Sequence, residues 1–456
     1  MSWNKVQLMA TRRSLLGGLA LGGATGLGIP SGLASRAKAE EGGDYRALVC
    51  VMLEGGSDNW STLVPFDATS HASYQSARPD LAIGQDVLAP TQLQPINDLG
   101  GFAYALNPRL QPLLEIFNAG DLAIIQNIGA LVAPTTASMF QNGNARLPSR
   151  LFSHNLQREF VLTGSASGAT TGWGGRIGDL VSGSNHFREF TCINAARANT
   201  TFLTGNAVMP YAVDDAGAKL LLRGREDALT GLLKTITTAS SDSVFRQEYA
   251  NIMQRAFFAG NLFASQFARV ADSNLSDIPI ESNDLGRQLR AVARTIASAP
   301  AMGMRRQVFF VMLRNWDAHN ATADTDGNFT RLASALHGFW RVMQRWGKSD
   351  EVTTFTLSDF GRTLNGNGNG TDHGWGSAQF VMGGAVNGGR VLGTPPLVGT
   401  SSPDTILGGR LVPTTPVDSL AASLATWMGV DDASLTSVVN NLVNFAPEAR
   451  DLGLFV

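Results

Sequence analysis

Four nearly continuous apolar runs constrain this chain more than any other feature. They are Tyr45 to Leu53 (YRALVCVML), Leu122 to Ile128 (LAIIQNI), Gln307 to Leu313 (QVFFVML) and Val352 to Leu357 (VTTFTL). Runs of this kind, rich in Val, Ile, Phe and Thr, suit strands buried on both faces of a mostly parallel sheet. Between the first two, Asn107 to Asn118 opens with a proline and carries a Leu/Ile stripe, which predicts a helix. Strand, helix, strand is the grammar of an α/β domain, so the expected class is α/β with a mostly parallel central sheet flanked by helices.

Three of the runs end in acids. The first enters Glu54-Gly55-Gly56-Ser57-Asp58, the third enters Trp316-Asp317-Ala318-His319, and the fourth enters Ser358-Asp359-Phe360-Gly361-Arg362. Open α/β sheets hold ligands at the carboxyl ends of their strands. In extended backbone, residues two apart face the same way, so Asp317 and His319 can present a carboxylate and an imidazole to one point. After Asp359, the Asn/Gly segment from Asn365 to Gly370 tolerates positive φ and predicts a tight exposed loop, which delivers Asp372 and His373 side by side. Carboxylate with imidazole is a donor mix that zinc, manganese or iron accepts, so a metal site is expected here. Taken singly, an aspartate in a Gly/Asn loop equally serves to cap backbone amides, and recurrence at several strand ends is what favours ligands.

Other segments fit around this frame. Leu151-Phe152-Ser153-His154-Asn155 places Ser153 at a helix start, either as a cap or as a hydroxyl at the positive end of the helix dipole. Gly172-Trp173-Gly174-Gly175-Arg176 is a glycine-rich turn whose arginine could hold an anion, or a plain surface turn. Apolar residues at three- and four-residue spacing predict helices from Asp214 to about Ala299, over Leu332 to Trp346, and over two closing segments, Val417 to Gly429 and Ala433 to Phe445. His337 is read as a packing or capping residue. No fixed-period repeat, P-loop, HExxH or GxSxG motif is present.

Charged residues are 16% of the chain and the net charge is -2, which argues against a nucleic-acid binder. Two cysteines, Cys50 and Cys192, form no disulfide framework and no cysteine zinc site. Thr11-Arg12-Arg13-Ser14-Leu15-Leu16, a Gly/Ala-rich weakly apolar stretch and Ala37-Lys38-Ala39 resemble a twin-arginine export signal over residues 1–39. The stretch is too poor in large apolar residues to predict a stable membrane span. A single domain from residue 40 to 456, with a helical insertion at about 214–300, and a periplasmic or secreted location are therefore expected.

The leader, LEGGSDNWSTLVPFD, LFSHN, WDAHN, SDFGRT, GTDHGWG and GGAVNGGRVLG together resemble the DUF1501 family, which is itself similar to the alkaline phosphatase and sulfatase superfamily. The resemblance implies an alkaline-phosphatase-like core and divalent ions, Zn, Mn or Mg and possibly two. It implies Asp58, Asp317, His319, Asp359, Asp372 and His373 as metal ligands. Ser153 becomes the candidate nucleophile, with His154 as ligand or acid and Arg362 or Arg176 holding anionic oxygens. Arg146, two residues ahead of Pro148, stands where a sulfatase signature needs Cys or Ser, which speaks against a formylglycine enzyme. The implied activity is hydrolysis of phosphate or sulfate esters of a small or polymeric substrate, by Ser153 or by water. The alternative is a non-catalytic exported binding or assembly protein on the same scaffold. The twin-arginine export machinery is the implied partner.

Overall fold

The computed structural model describes residues 45–455, apart from 166–167, 199, 216, 219–227, 240–241, 320–324 and 400. The expected export leader lies outside the described residues. Among the described residues, no helix is long and apolar enough to cross a membrane.

The strands that position the site are β1 (Arg46–Leu53), β2 (Leu122–Gly129), β3 (Cys192–Asn194), β4 (Tyr211–Asp214), β5 (Arg306–Leu313), β6 (Val352–Ser358), β7 (Ser377–Met382) and β8 (Arg390–Leu392). They form one sheet in the order β8-β2-β7-β6-β1-β5-β3-β4, continued past β4 by Gly217–Ala218. All four apolar runs are strands of it. β1 is parallel to both β5 and β6, and β7 alone among the labelled strands runs antiparallel to its two neighbours.

Alternation along β1 explains why the run is apolar on both sides. Ala47, Val49, Val51 and Leu53 enter one hydrophobic core, while Leu48, Cys50 and Met52 enter the other. The first core is closed by helices α1 (Gln111–Asn118), α5 (Asp284–Ser298) and α6 (Thr325–Arg345). The second is closed by α2 (His154–Thr163), α3 (Trp173–Val181) and α7 (Val417–Trp427). Helix α4 (Val244–Phe267) contributes Phe263 and Phe267 to the first core. Each fully buried Leu, Ile, Val or Phe is worth about 1.5–3 kcal/mol, so two such layers are what hold a sheet of this width.

Register delivers the functional edge. Leu53 lies opposite Leu313 on one side and Ser358 on the other, so β1, β5 and β6 end level. Whatever follows each strand therefore emerges at the same rim. The Gly55-Gly56 pair makes the exit from β1 possible: Gly55 has φ 119 and a Cβ there would lie 2.6 Å from the Asp317 nitrogen, while Gly56 has φ 88 and a Cβ would meet the Phe360 ring at 2.3 Å.

Two expectations are corrected. The segment from Ala433 to Phe445 is not one helix but short pieces, Asp432–Ser434, Leu435–Val438 and Asn440–Asn444. Val439 is extended, with φ -137 and ψ 109, and the Val438 carbonyl accepts from Arg176 Nε at 2.8 Å instead of from a following turn. Arg176 is thus no anion holder. Its guanidinium also donates to the carbonyls of Thr171 and Thr163, and it holds the α3 end to the closing segment.

Near it, Asp418 in the first turn of α7 is fully buried. Burial drives its pKa up from 3.8 to about 7, with Asn441 and Arg176 opposing the shift. The raised value means that the folded state holds a proton that the unfolded state releases. Its stabilisation is complete below about pH 4 and is lost as pH rises through about 7, by roughly 4 kcal/mol at about 1.4 kcal/mol per pKa unit. Asp418→Asn keeps the shape and removes the titration. Thermal melts of metal-free protein should show the variant close to wild type at pH 4 and more stable than wild type at pH 8. A constant difference across that range would contradict the assignment.

Candidate metal centre

The rim formed by β1, β5 and β6 receives a fourth element, a hairpin of Arg362–Gly366 against Thr371–His373 in which Arg362 lies opposite His373. Its tip carries the exposed Gly366 to Asn369, as the Asn/Gly alternation predicts. A fifth element comes from the start of α2, where His154 follows Ser153. Arg150 and Phe152 just ahead hold φ values of 47 and 70, unusual for residues with side chains, and strain of this kind concentrates at functional sites.

Donor atoms of His154, Asp317, His319 and His373 all lie within 4.8 Å of one another. The chain has six histidines, so half of them meet at this one point. The Asp317 carboxylate is the centre: His154 Nε2 is 3.4 Å from Oδ2, while His319 Nε2 and His373 Nε2 are 3.3 and 3.6 Å from Oδ1. Donors about 2.0–2.1 Å from a tetrahedral zinc stand about 3.3–3.4 Å apart, and the contacts to Asp317 are of that size, with His154 at one carboxylate oxygen and His319 and His373 at the other. The His319 and His373 Nε2 atoms are nearer, at 2.7 Å.

Orientation argues more strongly than distance. His154 Nδ1 lies 3.0 Å from Asp359 Oδ2, and His373 Nδ1 lies 2.7 Å from the Phe152 carbonyl. His319 Nδ1 faces Asp372 Oδ1 at 3.7 Å. An imidazole whose Nδ1–H is turned to an oxygen keeps its lone pair on Nε2, the arrangement in which histidines bind metals. All three Nε2 atoms then point inward. The buried Nε2 of His154 has no hydrogen-bond partner, and a cation would supply one.

Protonation favours the same state. Burial lowers the His373 pKa against the Phe152 hydrogen bond, and His154, Arg362 and His319 lower it further. Burial raises the Asp317 carboxyl, but the hydrogen bond and charge of Arg362, with His154 and His319, outweigh it and hold the pKa below the ordinary value. Neutral imidazole and ionised carboxylate are the ligand forms. At Asp359 burial dominates and the pKa is raised, although the His154 hydrogen bond opposes it.

The expected ligands divide accordingly. Asp317, His319 and His373 come together, and His154, expected as ligand or acid, joins them. Asp359 and Asp372 stand behind imidazoles rather than among the inward-facing donors, because β6 and the hairpin bring them to the Nδ1 side. Asp58 does not join the group. It caps the short helix Asn59–Thr62 and forms a two-pronged pair with the fully buried Arg78, at 2.8 and 2.9 Å. Arg362 is likewise committed: its side chain is fully buried, donates to the carbonyls of Gly55, Gly56, Trp316 and Thr371, and pairs with Asp317 Oδ1 at 2.5 Å. It has no face left for a substrate anion. Ser153 is half-buried and its hydroxyl makes no cap bond to the helix.

Two contributors carried no signal in the sequence. One is the Phe152 carbonyl, a backbone atom. The other is Phe360, whose ring packs 4.8 Å from His154 and 4.6 Å from His373 and covers one side of the centre.

The family described as "Protein of unknown function (DUF1501)" matches residues 45–442, well over half of the chain. The chain belongs to the DUF1501 family. No curated protein matches it. Among solved structures, this DUF1501 chain is similar to the PsFucS1 sulfatase from Pseudoalteromonas sp. at 10% identity and TM-score 0.35, covering 86% of this chain and 68% of that one. It is also similar to the phosphonate monoester hydrolase of Agrobacterium radiobacter, at 9% identity and TM-score 0.32, covering 85% and 74%. A mutant of the alkaline phosphatase PafA follows at 8% identity and TM-score 0.29, covering 70% and 64%.

Proposed function

We propose that this DUF1501 protein is an exported metal-dependent hydrolase of phosphate or sulfate esters, with a single divalent cation held by His154, Asp317, His319 and His373. The observation that carries the reading is the common direction of the three imidazoles, each with Nδ1 toward an oxygen and Nε2 toward Asp317. The export part rests on the twin-arginine leader alone. A divalent cation supplies Lewis acidity toward an ester oxygen and lowers the pKa of a water or hydroxyl.

The residues then have separate duties. Asp317 provides the negative charge and Arg362 fixes its orientation. Asp359 and the Phe152 carbonyl fix the ring planes of His154 and His373. Ser153 adjoins His154 with its hydroxyl released from capping, so it is the candidate nucleophile, with water as the alternative. One observation favours a binding or assembly role instead: the arginine expected to clamp an anion is consumed in the rim.

Metal-free protein titrated with Zn2+ or Mn2+ should bind one equivalent, with affinity falling as pH is lowered, because the cation must displace protons from its ligands. Loaded protein should hydrolyse at least one of a panel of aryl phosphate monoesters, diesters and aryl sulfates. Ser153→Ala should lower kcat by about 100-fold or more if serine is the nucleophile, and little if water is. Stoichiometric binding without any turnover would support the non-catalytic role, and absence of binding would remove both.

A further inference from the structure

Phe152 reaches the centre through a backbone conformation that residues with side chains avoid. Its φ of 70 lies in the left-handed region, and its carbonyl accepts from His373 Nδ1 at 2.7 Å. That rotation is fixed by the two peptide groups flanking the Phe152 Cα. The one after it is held by the Ser153 N–H, which donates to the Arg150 carbonyl at 3.2 Å. The one before it is held by a side chain: the Phe152 N–H donates to Oε1 of Gln157, a residue 1% exposed. Gln157 lies early in α2 and reaches back across the helix start, like the return bond of a capping box with each partner one residue further from the other. Its buried Nε2 has no hydrogen-bond partner, so the oxygen is the half of the amide in use, retained at the cost of an unpaired donor. Arg410 secures the other side of Phe152: its guanidinium lies 4.8 Å over the ring, and its Nε donates to the His373 carbonyl at 2.7 Å.

We propose that Gln157 is a positioning residue that selects the His373 tautomer, holding the Phe152 carbonyl on Nδ1–H so that the ring keeps its lone pair on Nε2, toward Asp317. A neutral imidazole carries one proton, and the bond made by one nitrogen decides which of the two holds it. Without the Gln157 oxygen, Phe152 relaxes toward negative φ and its carbonyl turns away from Nδ1. The proton is then free to sit on Nε2, where it puts a donor in the place of the lone pair a cation needs. The tautomer is a property of the metal-free protein. Its consequence for metal affinity rests on the metal-dependent reading above.

The test reads tautomer and metal separately. Metal-free full-length protein labelled with nitrogen-15 histidine is compared by two-bond proton–nitrogen correlation spectra at about pH 8.5, well above the ordinary imidazole pKa of about 6.5. The His373 signals are identified by their loss in His373→Asn. Wild type is expected to show His373 as the Nδ1–H form. Gln157→Leu should show a mixture of both forms, and Gln157→Asn, a methylene too short to reach Phe152, should do the same if the leucine variant does not fold. Gln157→Glu keeps an acceptor oxygen and gives up only the unpaired NH2, so it should retain the Nδ1–H form. Val161→Ala, which opens a cavity in the second core from the same helix, should lower stability and leave the tautomer unchanged. Zn2+ affinity, measured by competition with a chelating dye, should fall about tenfold in Gln157→Leu and recover in Gln157→Glu, as for groups that orient metal ligands. A tautomer shift in a protein that binds no Zn2+ would keep the positioning role and sink the metal reading. An unchanged Nδ1–H form in Gln157→Leu and Gln157→Asn, or the same shift in Val161→Ala, would overturn the proposal.

Discussion

Asp317→Asn is expected to abolish metal binding and hydrolysis while leaving a folded protein. The substitution keeps the size of the side chain and removes the charge toward which three imidazoles converge. Altering even the outer partners of metal ligands commonly costs 10- to 100-fold in affinity, so losing the anionic ligand itself should cost at least about 100-fold. A cation at 100 times its Kd stabilises the folded state by about 2.7 kcal/mol. Wild-type protein should therefore melt at higher temperature with Zn2+ or Mn2+, and the variant should melt at the same temperature with and without it. The Asp317 side chain is 46% exposed, so the variant's own stability should fall by only about 1 kcal/mol, as expected for an ion pair partly screened by solvent. Undiminished metal-dependent stabilisation in Asp317→Asn would remove the carboxylate from the centre and the proposed chemistry with it.

The contrast between Asp317 and Asp58 explains how much of this site could be read from residues. The apolar runs predict the strands because burial on both faces leaves little freedom in composition, and level strand ends then bring WDAHN and the β6 exit to one rim without further information. Asp317 and His319 are legible for that reason, and so is His373, which the Asn/Gly loop returns to the same rim. Asp58 sits at an equivalent strand end, yet Arg78 claims it. That arginine lies 20 residues on, in the stretch SARPD, where nothing in the local pattern marks it as a buried partner.

Asp359 and Asp372 illustrate a second limit. Sequence spacing places both beside imidazoles, but whether a carboxylate meets a cation or the far nitrogen of the ring depends on side-chain rotation, which has no periodicity to read. The same holds for Phe152, whose contribution is a carbonyl exposed by a left-handed φ. Closing segments were legible in part. Val417–Trp427 keeps a helical face against the second core, whereas Leu435 to Asn444 has the apolar spacing of a helix but gives up its continuity to Arg176.

Arg362→Gln should destabilise the metal-free protein by about 3–5 kcal/mol, the usual cost of breaking a buried charged network. The guanidinium joins three segments: the Gly55-Gly56 exit from β1, the Trp316-Asp317 exit from β5, and Thr371 on the hairpin. Glutamine reaches too few of these acceptors and leaves buried carbonyls unpaired, each at about 1–3 kcal/mol. Arg362→Lys keeps the charge but presents it as a point rather than a fork, so it should fall between wild type and Arg362→Gln. Urea unfolding monitored by tryptophan fluorescence measures the loss directly. If Arg362 instead clamped a substrate anion, as its place in SDFGRT suggests, Arg362→Gln would unfold at the wild-type urea concentration and show only a raised KM. The two outcomes exclude each other, and full burial of the guanidinium among four carbonyls favours the first.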